Sequence, residues 1–346
     1  MIIVPNIGTN ILVLRFSSIG DIIQTTSVLN TIKKYFPRTS ITYLTLSKYK
    51  PLLKNHPSID NLLSINPKKD QTGLKKIKKI YEKNSFDLIV DLHNSLRSKL
   101  IRRKFSNIDS VYVRKPRMKR LALFLNHINR FENGFNQRSW LHDPLKNFLP
   151  TDTVYSSISL NLSKKEVQDA KNFLNKSKKN SKNYFSIIPG AAWFNKEWGI
   201  EKYISVIKLC AKKYDLIPVL VGSLEDTICF EIEKKTSLPI INLAGKTNLR
   251  ESMAIIQKSL FCIGSDTGFT YAAEAFGVPT IVILGPTSKE TGAGLISKNS
   301  INLHAGNLWC RPCSQNGSFP CYRDKKYCME NISTEKVIAH ISNFLN

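Results

Sequence analysis

Asp266-Thr267-Gly268 and Gly285-Pro286-Thr287 are the residues of this chain whose types and spacing best suit the holding of an anion. Each triplet follows a short apolar run, residues 260–263 and 280–284, and each opens a helix; Gly277 closes the helix between them. A helix start offers N–H donors and the positive end of a dipole, which favours phosphate. The plainer reading is that Asp266 and Thr267 cap a helix and Gly285-Pro286 is a turn. Two such turns one strand apart favour a phosphate-bearing ligand. Asp21, in Ser17-Ser18-Ile19-Gly20-Asp21, follows the first apolar run. One glycine stands there where a dinucleotide fingerprint carries three, which argues against a nicotinamide cofactor. The Asp21 carboxylate can reach a substrate hydroxyl or cap a helix. Lys196, in the turn over residues 189–198, can set an ammonium over a diphosphate, while Trp193 and Trp198 are expected to pack. Glu225 and Asp226, after Val221-Gly222, can accept hydrogen bonds from a ribose diol.

Positioning these turns requires strands that all end on one side. Residues 11–16, 41–46, 62–65, 88–91 and 110–113 read as short apolar strands, with a helix over 22–36 ended by Pro37. After a polar, lysine-rich linker at 162–181 with a helix around 166–174, a second series follows: strands at 185–189, 217–221, 239–243, 260–263 and 280–284, with helices at 200–214 and 249–257. Such alternation, twice over, predicts an α/β protein of two doubly wound domains that face each other across a ligand cleft. The expected division is 1–160, 161–332 and an amphipathic C-terminal helix at 333–346 carrying Val337, Ile338, Ile341, Phe344 and Leu345. A chain of 346 residues with 42% hydrophobic content can fill two such cores.

The formal charge is +25, and between Lys68 and Arg138 nineteen Lys plus Arg stand against six Asp plus Glu. About half of the excess therefore sits in one fifth of the chain, which suits nucleic acid, an anionic membrane surface or a phosphorylated substrate. Abundant Lys and Asn throughout also fit a merely solvated lysine-rich surface. The N-terminus does not read as a signal peptide and no run approaches about 18 apolar residues, so a cytoplasmic protein is expected, one able to touch a membrane.

Leu14-Arg15-Phe16-Ser17-Ser18-Ile19-Gly20-Asp21, Asp91-Leu92-His93-Asn94-Ser95-Leu96-Arg97, Pro189-Gly190 through Lys196-Glu197-Trp198, and Asp266-Thr267-Gly268 through Gly285-Pro286-Thr287 occur in order along the chain. Together they resemble glycosyltransferase family 9, the bacterial lipopolysaccharide heptosyltransferases, over nearly the whole length. The resemblance implies the GT-B arrangement of two Rossmann-like domains, an ADP-activated heptose held mainly by the second, and a lipid-linked, anionic Kdo or heptose acceptor held by the first. It implies an inverting transfer with Asp21 as general base and Lys196 offsetting charge on the departing ADP, with no cofactor or catalytic metal required. Thr267, Gly268, Gly285 and Thr287 would contact the diphosphate, Asp266 the sugar hydroxyls, and Glu225 or Asp226 the ribose; Ser18, Gly20 and Arg97 would lie on the acceptor side, with Arg15 or the cations from Arg97 to Lys104 available for acceptor anions. Where the family usually carries His, Tyr271 stands, which donates a hydrogen bond but supplies no imidazolium charge. The enzyme would work peripherally on the cytoplasmic face of the inner membrane, the basic first domain meeting anionic lipid.

Cys310, Cys313, Cys321 and Cys328 place four thiols within nineteen residues. Such spacing suits zinc or an iron-sulfur cluster, or reduced or paired structural cysteines. Cys210, Cys229 and Cys262 read as core residues. Two other functions fit parts of the sequence: a basic nucleic-acid-binding protein with a four-cysteine metal site, which leaves the Ser-Ser-Ile-Gly-Asp and Asp-Thr-Gly turns unused, and a sugar-nucleotide epimerase of similar shape.

Overall fold

The structure, a computed structural model, describes residues 7–68, 77–79, 81–82, 85–176, 183–306 and 308–345. The chain forms two compact units: one from the residues up to Pro116 with Gln137–Asn161, the other from Arg117–Asn136 with Leu162 onward. The sequence divides near 160; in the structure the stretch 117–136 groups with the second unit.

In the first unit a parallel sheet runs in the order β3-β2-β1-β4-β5, with β1 (Asn10–Leu14), β2 (Ser40–Leu46), β3 (Asn61–Ile65), β4 (Leu88–Asp91) and β5 (Asp109–Tyr112). The central strands β1 and β4 are apolar runs because helices cover both faces of a parallel sheet; Ile11, Leu12, Val13, Leu14, Ile89 and Val90 are fully buried. Helix α1 (Ile19–Tyr35) starts where Ser18 serves as N-cap and Asp21 reaches back to the Ser18 N–H, a reciprocal capping box. Helix α2 (Leu96–Lys104) is capped in the same way by Ser95. In the register, Leu14 pairs with Asp91, so the turns after β1 and β4 lie side by side. The sheet order reverses between these strands, and that is where an open α/β sheet forms its ligand crevice. Helices α3 (Arg117–Asn126) and α4 (Gln137–His142) follow β5.

The second unit opens with α5 (Lys164–Lys176), whose Glu166 forms a two-pronged ion pair with Arg250. Its sheet, also parallel, runs β11-β10-β9-β6-β7-β8 over β6 (Tyr184–Ile188), β7 (Ile217–Leu220), β8 (Ile241–Asn242), β9 (Cys262–Ser265), β10 (Thr280–Leu284) and β11 (Ser300–His304). Helices α6 (Ile200–Tyr214), α7 (Thr227–Lys235), α8 (Leu249–Gln257) and α9 (Gly268–Ala275) alternate with these strands; α10 (Tyr327–Glu330) and α11 (Thr334–Leu345) close the chain. Here the order reverses between β6 and β9. Gly264 allows the two to approach: a Cβ on it would lie 2.5 Å from the Ile188 carbonyl oxygen. Phe185, Ile187, Phe261, Ile263, Ile281 and Ile283 fill one face of the sheet, and Val337 and Ile341 of α11 are buried in the same cluster. The terminal helix is therefore part of this unit's core. Strand β8 is shorter than the expected 239–243 because Pro239 brings no N–H to the ladder. Strand β11 escaped the sequence reading because Asn302 interrupts its apolar pattern at a half-exposed edge. Among the described residues no helix is long and apolar enough to cross a membrane.

Candidate functional site

At the first switch point, Asp21 stands at the mouth of β1. Its Oδ2 accepts hydrogen bonds from the Ser18 N–H (3.0 Å) and hydroxyl (2.8 Å) and pairs with Arg15 Nη2 at 2.8 Å; Oδ1 accepts from Gln137 Nε2 at 2.6 Å. Burial alone would raise its pKa, but Arg15 and the donated hydrogen bonds outweigh that and bring it down to about 2. The side chain is still 32% exposed, so an ionised carboxylate faces outward, with Oδ1 the less occupied oxygen. Arg15 is itself committed: Nε donates to the Ser17 carbonyl (2.7 Å) and Nη1 to the Leu92 carbonyl (2.5 Å). At 7% exposure it orders the site, and the acceptor-binding expectation for it gives way to that role.

The neighbouring turn after β4 is held by Asp91, fully buried. Its Oδ1 accepts from the His93 and Asn94 N–H groups and its Oδ2 from Arg102 Nε at 3.0 Å. Arg102 thereby braces the turn through its Nε. This clamp presents His93, whose Nδ1 accepts from the Phe16 N–H at 3.1 Å, leaving the proton on Nε2. Burial, with the charges of Arg15 and Lys115, takes its pKa down to about 4, so it is a neutral donor. The Arg97 guanidinium lies 5.5 Å from the Phe16 ring centroid. His93, given no role by the sequence, and Gln137 are the residues that sequence reasoning missed; the β1–β4 pairing brings the first beside this turn and the packing of α4 on α1 brings the second to Asp21. Ser18 supplies the N-cap hydroxyl, and Gly20 is buried in the first turn of α1.

At the second switch point, Lys196 Nζ sits 2.7 Å from Asp266 Oδ2, with both residues buried. Asp266 also accepts from the Tyr271 hydroxyl (3.1 Å, Oδ1) and the Thr287 hydroxyl (3.2 Å, Oδ2), and the Tyr271 oxygen accepts from the Gly294 N–H. Burial and then the Asp266 charge push the Tyr271 pKa well above its ordinary value, so it remains a neutral donor. Thr267 is the N-cap of α9, and its buried hydroxyl has no hydrogen-bond partner among the described residues. Gly268 is the first residue of α9, and the Gly285-Pro286-Thr287 turn is held from behind by Arg311, which donates to the Gly285 and Thr287 carbonyls (2.6 and 2.7 Å). Gly285 leaves room for Met329, whose methyl would lie 2.5 Å from a Cβ there. Asp226, at the N-cap position of α7, accepts from the N–H and hydroxyl of Ser223 in the preceding turn and fills the space beside Gly190 and Gly222; Glu225 beside it is exposed. Of the two acids, Glu225 is the one open to a ligand. Trp198 packs as expected, its indole N–H donating to the Ile332 carbonyl, whereas Trp193 is 43% exposed and lines, with Phe194 and Asn195, a groove of about 640 Å3.

The cysteine loop lies against this turn: Asn195 donates to the Phe319 carbonyl, and the Lys326 ammonium stands 3.6 Å from the centre of the Phe194 ring. Cys310, Cys313, Cys321 and Cys328 line one small cavity and are free thiols. Among the described residues no three of His, Cys, Asp and Glu stand grouped at metal-binding distances. The sulfurs have other partners. Arg323 donates to Cys310 Sγ, Cys321 donates to the Lys325 carbonyl, and burial pushes the Cys328 thiol up to about 11 and raises that of Cys313.

Comparison with known proteins bears on the whole assembly. The sequence profile of Glycosyltransferase family 9 (heptosyltransferase) matches residues 74–322. Lipopolysaccharide heptosyltransferase 1 of Campylobacter coli is 28% identical over 309 residues, covering 84% of this chain and 88% of that protein. Among solved structures, the glycosyl transferase family 9 protein of Veillonella parvula DSM 2008 superposes with a TM-score of 0.78 at 19% identity, covering 97% of each chain. E. coli ADP-heptose lps heptosyltransferase II gives 0.73 at 20% identity, covering 97% of this chain and 98% of that one. At such identities the structures speak for the fold, here the two-unit α/β fold of the GT-B type. The profile match spans most of the sequence and takes in the Lys196 and Asp266 turns, and on that ground the chain belongs to glycosyltransferase family 9, the heptosyltransferases, and is a glycosyltransferase.

Proposed function

We propose that the protein transfers heptose from ADP-heptose to a Kdo or heptose of the lipopolysaccharide inner core, with inversion at the anomeric carbon. The observation that carries this is the buried Lys196–Asp266 pair at the start of α9, joined by Tyr271 and Thr287. A nucleotide diphosphate at this turn would meet the α9 N-terminus, the unpartnered Thr267 hydroxyl and the Lys196 ammonium, while Asp266 would exchange internal donors for sugar hydroxyls. Support for the heptose and its acceptor comes from the Campylobacter coli and E. coli relatives, whose names carry both.

In the first unit, the acceptor oxygen attacks the anomeric carbon, the bond from that carbon to the diphosphate breaks, and the hydroxyl proton passes to Asp21 Oδ1. A carboxylate held near pKa 2 takes a proton only after the hydroxyl has become acidic, so transfer is late, when the new bond is largely formed. Arg15 and Gln137 aim the carboxylate, and His93 Nε2–H offers a neutral donor to the acceptor. Lys196 offsets charge on the departing ADP, a task that needs no metal in this scheme. With a lipid-linked acceptor, the work takes place at the cytoplasmic surface of the inner membrane.

Incubation with ADP-heptose and heptose-deficient lipopolysaccharide, followed by mass spectrometry of lipid and nucleotide, tests the proposal. One heptose gained per lipid with ADP released supports it. Release of a different nucleotide from another sugar donor would move the assignment to a family 9 transferase of other specificity, a reading that Tyr271 at the Asp266 carboxylate favours. Failure with every nucleotide sugar would overturn both.

A further inference from the structure

Helix α3 carries two apolar faces, and among the described residues only one of them is covered. Leu123 is 3% exposed, whereas Met118, Leu121 and Leu125 are 75%, 49% and 68% exposed. At about 100° per residue, these three fall within an arc of roughly 60°, about 160° around the helix from Leu123. Arg117 and Lys119 fall on either side of the exposed stripe, and from Arg117 to Arg130 the sequence contains four cations and no acidic residue. An apolar stripe bracketed by cations is the pattern of a helix lying in the plane of a bilayer interface. A second observation points the same way. Beyond the end of α3, the His127 ring lies 6.5 Å from that of Trp309, itself 5.9 Å from Tyr322, and both Trp309 and Tyr322 are more than 60% exposed. Outward Trp and Tyr rings suit the headgroup layer, where the ring is buried and its polar edge remains wet.

We propose that α3 docks the enzyme on an anionic bilayer, with Met118, Leu121 and Leu125 entering the interface, Arg117 and Lys119 holding acidic headgroups, and Trp309 with Tyr322 extending the contact. The inference deepens the membrane-surface part of the proposed function, and its purpose rests on that reading, but its test does not. Nucleic acid would engage the cations and leave the leucines without use.

The test is flotation of the purified full chain with vesicles of phosphatidylcholine alone or mixed with phosphatidylglycerol, without nucleotide sugar or saccharide acceptor. The wild type should float with the mixed vesicles and far less with phosphatidylcholine. Leu121→Glu with Leu125→Glu should lower the partition coefficient at least tenfold, about 1.4 kcal/mol, at low and physiological salt. Arg117→Gln with Lys119→Gln should weaken binding several-fold and flatten its salt dependence. Both leucines are exposed, so an unchanged thermal melt should accompany the loss. Equal flotation of wild type and the leucine variant would overturn the proposal. So would concentration-dependent self-association without vesicles that the leucine substitutions abolish, since the stripe would then be a contact between copies. Because no sugar is transferred, an inactive enzyme that floats would sink the transferase reading and leave the docking helix standing.

Discussion

The two units build their sites on the same plan and tune them oppositely. Each has a carboxylate at the sheet's switch point, at the start of a helix, paired with a cation: Asp21 with Arg15 and Asp266 with Lys196. Asp21 is 32% exposed and keeps one oxygen lightly used, while Asp266 is 7% exposed and satisfied on both. The cations differ in the same sense. Arg15 is spent on two backbone carbonyls besides Asp21, as suits a fixed fork, whereas Lys196 is a point charge on a flexible stem that can turn from Asp266 to a diphosphate. On the proposed function, one acid is placed to meet a proton, and the other to hold a binding charge until ligand arrives.

Substitution of Asp21 by Asn should have the largest effect, a loss of about 10²–10⁴-fold in kcat, with nucleotide-sugar affinity changed little in calorimetry. A variant that folds and retains full rate would erase the distinction between the two acids. Lys196→Met should cost about 10²–10³-fold in kcat and also stability, because Asp266 is left buried without its cation, a penalty of about 3–5 kcal/mol. Pairing it with Asp266→Asn should restore the melting temperature but not the rate; a restored rate would make the lysine structural. Tyr271→Phe removes one donor to Asp266 and should cost about 1 kcal/mol in chemical denaturation, with a several-fold rise in KM for the donor. The smallest effect concerns pH. Asp21 titrates near 2, below its ordinary 3.8, so its contribution to stability is complete above about 3.8 and is lost as pH falls through about 2. The rate should therefore show no Asp21 limb between about pH 5 and pH 8; a limb there that disappears in Asp21→Asn would mean that the carboxylate is far less stabilised than its neighbours imply.

Much of this was legible locally. The apolar runs ending in Ser-Ser-Ile-Gly-Asp, Pro-Gly and Asp-Thr-Gly identify strand–turn–helix units, because apolar periodicity and capping residues act within a few positions. Residues 200–214 and 249–257 fold as the periodicity predicts. The cysteines show the limit of spacing: four thiols reach one cavity, but which groups touch each sulfur, such as Arg323 at Cys310, is set by the fold of the loop. Trp193 likewise gives no sequence signal that separates it from the buried Trp198.

The sequence by itself determined that Asp21, Lys196 and Asp266 stand at strand ends next to helix starts, since each such placement is a matter of local chain chemistry. Only the tertiary structure decided their partners. Gln137 reaches Asp21 across 116 positions because α4 packs against α1, and Arg15 reaches Leu92 across 77 because β1 lies against β4. The ionisation of the site joins both levels: Arg15 and Ser18, within six positions of Asp21, do most to hold its carboxylate near pKa 2, and folding adds the Gln137 hydrogen bond from across the chain.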